Sequence, residues 1–564
     1  MNLLIRNGTV VDGTGAVPYP ADVRVQVGRI SEVGPDLRPD GEREVDATGA
    51  YVAPGFIDIH THFDPSSFWD PYCDPMPQHG VTSVLFGNCS LSLAPVHADR
   101  RAELTSLFCY IEDLPEAAFD EAIPWNWERY GEYVAEASAR SYGVNVAGMV
   151  GHTPLRVFVL GDEAWERPST DEERAQIAEL LAESLDAGAF AMSTSQGFDE
   201  DRQKRPVPSR LADDAELSAL IDVLADRGRF LQFISDPHSR RTAASVRRVA
   251  ELCQPRHLTS TWINVMHDDQ MPELGISMME LSSELQAAGS PCYPQISPRP
   301  MDIQVNWFGG MSFYTMGRTW HPMVQEMDPA AKRHMLEDPE WRAAARDEWD
   351  RAPFTMIRHK LPERIRLLSV TRPENESWLN RSLADLIAAR GMHPSDVLAD
   401  WILENDLRPG IVGTAIGNGD PDGVAELLTH PAGVVANSDA GAHQQMFSAA
   451  GDTTLVLTRF VRDRGDMTVE QAVHRMTGHL AELFGFHDRG VVRPGAHGDL
   501  TVFALDELTW DTDVFVDDVP AGGRRLRRPP GQYRATAIAG TLVQEAGELT
   551  GATPGHLIRH GAAT

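Results

Sequence analysis

The first fifty or so residues alternate apolar and polar positions. LLIRNGTVVDG and ADVRVQVGRISEVG carry a period of two and are punctuated by Gly and Asp. Successive side chains of a strand face opposite ways, so this pattern predicts short strands joined by hairpin-type turns. The C-terminal end has the same texture in HGDLTVFALDEL (497–508) and RATAIAGTLVQEAGELTG (534–551). Two β-rich ends predict one small β-sandwich domain assembled from residues 1–54 and 487–564.

Between them the period changes. VTSVLFGNC (81–89), VNVAGMVGH (144–152), AFAMSTS (189–195), FLQFISD (230–236), STWINVM (260–266), GIVGTAI (410–416) and GVVANSD (433–439) are short, nearly continuous apolar runs. Such runs suit strands of a parallel sheet buried on both faces. Helical segments lie among them, such as DEERAQIAELLAESLDAG (171–188), which closes on Gly188, and DDAELSALIDVLADRGR (213–229). About eight such units predict an α/β chain, a (β/α)8 TIM-type barrel over residues 55–486. Residues 300 to about 385 break the rhythm. They are rich in Trp, Met, Arg and Glu, and read as a helical insertion over the barrel mouth, where inserted loops cover active sites. A peripheral decoration or an oligomer contact is the alternative, so a homo-oligomer stays open.

Composition narrows the partners. With 50 Lys+Arg against 82 Asp+Glu, the net charge is −32. That surface repels phosphate backbones, so no nucleic-acid partner is expected. Lysine is limited to Lys204, Lys332 and Lys360. The five cysteines are scattered without CxxC pairs, which argues against a disulfide framework or a zinc ribbon. The opening MNLLIRNGTVVDG lacks the apolar stretch of a signal peptide, and no run of about 18 apolar residues could span a bilayer. A cytoplasmic protein without a membrane partner is expected.

Candidate chemistry begins with GFIDIHTHFD. His60 and His62 alternate on a probable strand, so both imidazoles aim one way, and imidazole suits zinc and related metals. Asp439, in VVANSDAGAH, follows a late apolar run and sits where a barrel strand ends, the position from which such barrels supply catalytic groups. Alone it would read as a turn residue or helix cap; beside His60 and His62 it reads as a metal ligand and proton acceptor. Cys89 ends VTSVLFGNC as a soft candidate ligand, although a single cysteine also reads as a buried packing residue. VGHTPLR presents His152 and Arg156; His152 is a candidate to touch metal or substrate, with a supporting or packing role as the alternative.

Taken in order, these segments resemble the amidohydrolase superfamily, and within it the D-aminoacylase (N-acyl-D-amino-acid deacylase) family. The resemblance rests on LLIRNGTVVDGTG, HTH, GVTSVLFGNCSLSLAPV, VGHTPLRVFVLG, AGAFAMSTSQGF, SDAGAH and MTGHLAELFGFHDRGVVRPGAHGDLTVFALDEL. It implies a barrel flanked by a β-sandwich from both termini, and zinc held by His60, His62 and Asp439, with Cys89 matching a metal-binding cysteine. Departures from the family accompany it. AFAMSTSQGF contains no bridging lysine, which D-aminoacylases also lack. FLQFISDPH and STWINVMHDD carry no histidine inside the strand, leaving His238 and His267 just beyond. One zinc per chain is therefore favoured over two. The segment after Asp439 lacks the arginine that grips a substrate carboxylate, and Arg156 or Arg299 is nominated in its place.

The expected reaction is cleavage of a small-molecule amide by metal-activated water, deacylating an N-acyl (D-)amino acid or a related compound. Asp439 takes the water proton and returns it to the leaving nitrogen, and His443 orients Asp439 or steadies the oxyanion. Hydrolysis of a cyclic amide, imide or ester, a lyase or isomerase on the same scaffold, and a non-catalytic metal-binding protein are the alternatives.

Overall fold

The computed structural model describes residues 2–236, 241–435 and 437–561. Leu3–Val10 is the hub of the terminal sheet. It pairs in parallel first with Arg43–Asp46 and then with Tyr51–Pro54, while Tyr19–Gln26 runs antiparallel along it. The register slips between Ile5 and Gly8, where Asn7 takes a left-handed φ of 63°. Tyr51–Pro54 carries the sheet on to Leu500–Phe503, and that strand to Ala535–Ile538. Both ends of the chain thus share one nine-stranded sheet. Its core includes Leu3, Ile5, Val23, Val25, Val52, Leu500 and Val502. Where the sequence predicts a sandwich, the hydrogen bonds join strands of both ends in this one sheet, with Val514–Val519 and Gly523–Arg527 paired separately. The slip in Leu3–Val10 lets one strand serve two neighbours in succession on the same side.

The central region alternates strands and helices. Val81–Phe86, Ala191–Ser195 and Phe230–Ile234 are buried at every residue, as parallel strands covered on both faces must be. Two of the helices between them start at side-chain caps. Thr170 and Glu173 form a reciprocal capping box on Asp171–Asp186, and the Asp213 carboxylate accepts the amide of Glu216 on Asp214–Asp226.

The parallel strands are hydrogen-bonded in three segments. Phe56–Asp58, Val81–Phe86 and Asn145–Gly148 form one. Val150–Gly151, Ala191–Ser195, Phe230–Ile234, Ser260–Val265, Cys292–Ile296 and Val434–Val435 form the second. His60–Thr61 and Asn437–Ala440 form the third, in which the last run pairs back with the first. The break in the first run has a local cause. The Asp58 carboxylate accepts the His60 amide at 3.1 Å, and the Asn88 side chain donates to the carbonyls of Ile59 and Thr61 at 3.4 and 3.1 Å. Side chains have taken over the ladder's bonds.

Two strands differ from the sequence expectation. Gly410–Gly413, predicted as a barrel strand, instead pairs antiparallel with Ile303–Gln304 and Ile365–Ser369 in a separate small sheet. Cys292–Ile296, which Pro294 disguises, occupies the parallel sheet in its place. The small sheet belongs to an inserted unit with its own core, including Trp307, Phe313, Trp320, Trp349, Trp401 and Ile411. This unit rests on loops that follow the parallel strands. Asn306 donates to Asp113 at 2.8 Å, Tyr110 meets His321 at 3.2 Å, and Arg358 donates to Asp268 at 2.8 Å. Among the described residues no helix is long and apolar enough to cross a membrane.

Candidate metal centre

His60 and His62 leave the first parallel run on either side of Thr61, with ring centroids 5.5 Å apart. Cys89 reaches them by a sharp turn after Val81–Phe86. Gly87 takes a φ of 82°, and a Cβ there would lie 2.4 Å from the Met149 carbonyl oxygen, so only glycine fits. Cys89 and Ser90 then both adopt left-handed backbone, with φ 56° and 69°. The turn sets Cys89 Sγ 3.3 Å from His60 Nε2. Donor atoms of His60, His62 and Cys89 all lie within 4.8 Å of one another.

Asp439, itself left-handed at φ 65°, completes the group from the end of the last run. Its Oδ1 is 3.2 Å from His62 Nε2 and 3.7 Å from His60 Nε2. His443 Nε2 stands 3.7 Å from Asp439 Oδ2. The histidine side chains of the first run are at most 1% exposed, against 21% for Asp439 and 18% for His443, so the open side of the cluster is the Asp439–His443 side.

Neighbours orient the donors. His60 Nδ1 donates to Gln295 Oε1 at 2.7 Å, and the Gln295 amide nitrogen donates onward to Thr261 Oγ1 at 3.1 Å. This leaves the His60 Nε2 lone pair facing Cys89 and Asp439. The Cys89 amide donates to Gln232 Oε1 at 3.2 Å. Neither ring nitrogen of His62 has a hydrogen-bond partner although both are buried.

Electrostatics follow from burial and crowding. Burial pushes His60 down to about 4. It opposes protonation of His62 too, yet the carboxylates of Glu112 and Asp439 outweigh it and raise that ring to about 9. Asp439 is lowered against its own burial by His62, His443 and His60. Burial, reinforced by the carboxylates, raises the Cys89 thiol. Two imidazoles, a thiol and a carboxylate converging, with the His62 ring nitrogens unbonded, are the donor set of a divalent transition metal such as zinc.

The other nominated residues lie elsewhere. His152 is fully buried; Nε2 meets Glu216 Oε1 at 2.7 Å and Nδ1 meets Thr194 Oγ1 at 2.9 Å. Arg156, also fully buried, donates to the other Glu216 oxygen. Arg299 donates to Asp452 at 3.0 Å and to the Ser438 carbonyl at 2.6 Å. Each guanidinium nominated for substrate binding is paired with a buried protein carboxylate, Glu216 for Arg156 and Asp452 for Arg299. Arg299 instead holds the backbone immediately before Asp439. His267 pairs loosely with Asp269 and Asp420, at 3.6 and 3.7 Å, and does not join the cluster; His238 lies outside the described residues. Sequence reasoning missed Glu112, Gln232 and Gln295. Counting 292–296 as a strand would have exposed Gln295, whereas Glu112 follows a helix and carries no local signal.

Comparison with known proteins now decides the family. A model described as the amidohydrolase family matches residues 43–302 and 325–544. The chain belongs to that family. This amidohydrolase is 30% identical, over 98% of its length and 93% of the relative's, to an uncharacterized protein of Mycobacterium tuberculosis. It is 29% identical to the N-acyl-D-aspartate deacylase of Alcaligenes xylosoxydans xylosoxydans, over 91% of this chain and 88% of that one. The crystal structure of N-acyl-D-glutamate deacylase from Bordetella bronchiseptica, complexed with zinc and a phosphonate inhibitor, superposes with a TM-score of 0.67 at 24% identity, covering 99% of both chains. The amidohydrolase is D-aminoacylase-like, a metal-dependent hydrolase of carbon–nitrogen bonds other than peptide bonds.

Proposed function

We propose that this hydrolase deacylates N-acyl amino acids, D-configured ones first among them, with one zinc ion held by His60, His62, Cys89 and Asp439. The observation that carries the reading is the convergence of those four side chains at the ends of parallel strands. The strand segments are read as one closed (β/α)8 barrel, because the last run pairs back with the first. One ion is preferred because Gln232 stands on the strand where the family resemblance puts a histidine, and its carbonyl is taken by the Cys89 amide. Ser260–Val265 contains no histidine either. Deacylation is preferred because relatives named for deacylating N-acyl-D-aspartate and N-acyl-D-glutamate align over 91% of the chain.

A bound zinc supplies Lewis acidity toward the amide carbonyl and toward water. The chain does the rest. Asp439, on the open side, accepts the proton of the attacking water and delivers it to the leaving nitrogen; one carboxylate serves both roles because the steps are sequential. His443 steadies that carboxylate from 3.7 Å. Arg299 anchors Ser438 and so keeps Asp439 in place.

The test is amine release by the zinc-loaded protein from matched N-acetyl-D- and N-acetyl-L-amino acids, with metal content measured on the same sample. Release from a D-series substrate with about one zinc per chain is expected. A folded, zinc-loaded protein that cleaves no member of either series overturns the deacylase reading.

A further inference from the structure

Glu112 takes no part in the chemistry above, yet it is built into the site from every side. Its carboxylate is 2% exposed. Oε1 lies 3.3 Å from His62 Nδ1, and Oε2 lies 3.9 Å from His443 Nε2. Neither His62 Nδ1 nor Glu112 Oε1 has a hydrogen-bond partner, so each faces the other with its bonding capacity free. The backbone repeats the link, because the His443 amide donates to the Glu112 carbonyl at 2.5 Å. On one side Glu112 is the C-terminal cap of the helix Arg101–Ile111, with its amide on the Phe108 carbonyl. On the other, Asp113 is gripped by Asn306 of the inserted unit.

A histidine that binds a metal through one ring nitrogen presents the other to an outer partner. That partner fixes the tautomer and ring direction and raises the ligand's basicity. His60 already has one in Gln295, a neutral amide. The only polar side chain within reach of Nδ1 of His62 among the described residues' ion pairs is Glu112, and with Nδ1–H turned toward it, Nε2 keeps its lone pair toward Asp439, 3.2 Å away. The same carboxylate reaches toward His443, so one residue joins a candidate metal ligand to the group that steadies the proton carrier.

We propose that Glu112 is a positioning residue that locks His62 in its metal-binding tautomer and ties the His443 turn to it; this rests on reading His60, His62, Cys89 and Asp439 as a metal site. A leucine-like or merely space-filling role would not need the charge or the acceptor, and the inverse arrangement, a carboxylate buried here for packing alone, would cost stability without return.

The test uses the full chain as wild type, Glu112→Ala, Glu112→Gln and Glu112→Asp, stripped of metal and titrated with zinc and cobalt(II). The readouts need no substrate: affinity by chelator competition, and the visible spectrum of the cobalt protein. Glu112→Ala is expected to weaken binding by about 10–100-fold and to shift the cobalt bands. Glu112→Gln, whose amide oxygen still accepts from Nδ1–H, is expected to recover most of that loss. Glu112→Asp, which keeps the charge but withdraws it, is expected to weaken binding also, and decides the matter if the alanine variant does not fold. Wild-type affinity and spectra in the variants overturn the role of Glu112 and leave the metal-site reading standing. A wild-type protein that binds neither ion overturns both.

Discussion

Two buried histidine–carboxylate clusters lie in this protein, and they are built to opposite rules. Around His152 every ring nitrogen and both Glu216 oxygens are bonded, with Arg156 and Ser169 completing the set. Around His62 neither ring nitrogen is bonded, and two carboxylates crowd the ring from opposite sides. Burial is alike in the two, at 0–1% exposure for both histidines. The difference is satisfaction. A buried polar group normally has its partners, so the His152 ring, bonded at both nitrogens, reads as structural, while the unbonded His62 ring asks for a guest. Motif reading alone nominated both histidines; hydrogen-bond accounting separates them.

The comparison predicts unequal outcomes on mutation. The largest effect is expected for Asp439→Asn, which keeps the shape but cannot take a proton: kcat/KM should fall by about 10²–10⁴. Thermal unfolding of the metal-stripped variant should stay near that of the metal-stripped wild type. Turnover within a few-fold of wild type on an active substrate would remove Asp439 from the proton path.

Next, Glu216→Ala leaves Arg156 buried and unpaired, and should cost about 3–5 kcal/mol of stability. Zinc content of the folded fraction should be unchanged. A variant that unfolds at the wild-type temperature but loses its metal would reverse the roles assigned to the two clusters.

Metal removal addresses the other cluster. Chelation should abolish turnover and lower the unfolding temperature, since a ligand at 100–1,000 times its Kd stabilises by about 2.7–4.1 kcal/mol. Zinc should restore both, and the Glu216→Ala protein should show the same increment. A chelator-insensitive unfolding temperature together with undiminished turnover would contradict the site.

The smallest effects are those of pH, where the sign follows from proton counting. Burial alone would raise Glu216, but His152 and Arg156 pull its carboxyl down to about 2. Burial also lowers His152. Both groups bind protons less readily when folded, so their stabilisation is present at neutral pH and lost on acidification, for Glu216 between its ordinary 4.5 and about 2. The inserted unit supplies a basic counterpart. Lys332 is buried on the carbonyls of Trp307 and Val324 and lowered to about 7, chiefly by burial. The unfolded chain holds that proton longer, so stability should rise with pH between about 7 and 10.5. Lys332→Met should flatten the alkaline slope and leave the acid one. A slope unchanged in the variant would assign it to another group.

How much of this was legible beforehand can be judged residue by residue. The convergence of His60 and His62 was readable because side chains two positions apart on a strand share a face. Cys89 and Asp439 were readable because each ends an apolar run. Gln295 was not, since it meets His60 across 235 residues of sequence and its strand contains Pro294, a residue that argues against a central strand. Gly410–Gly413 misled for the complementary reason. Its apolarity was real, but it is spent inside the inserted unit, on Ile365–Ser369 and Ile303–Gln304. Arg156 and Arg299 carried charge that looked available until Glu216 and Asp452 were found against them.

The sequence by itself determined the local faces: most of the strands and helices, which two imidazoles point together, and that the two ends of the chain are of one β-rich kind. Those are properties of a few consecutive residues, set by side-chain alternation and capping chemistry. Tertiary structure alone decided which strand pairs with which, that the terminal strands share one sheet, and which buried histidine keeps its nitrogens unbonded. Those depend on partners far away along the chain, and only packing brings them within the few ångströms over which a hydrogen bond or a metal ligand acts.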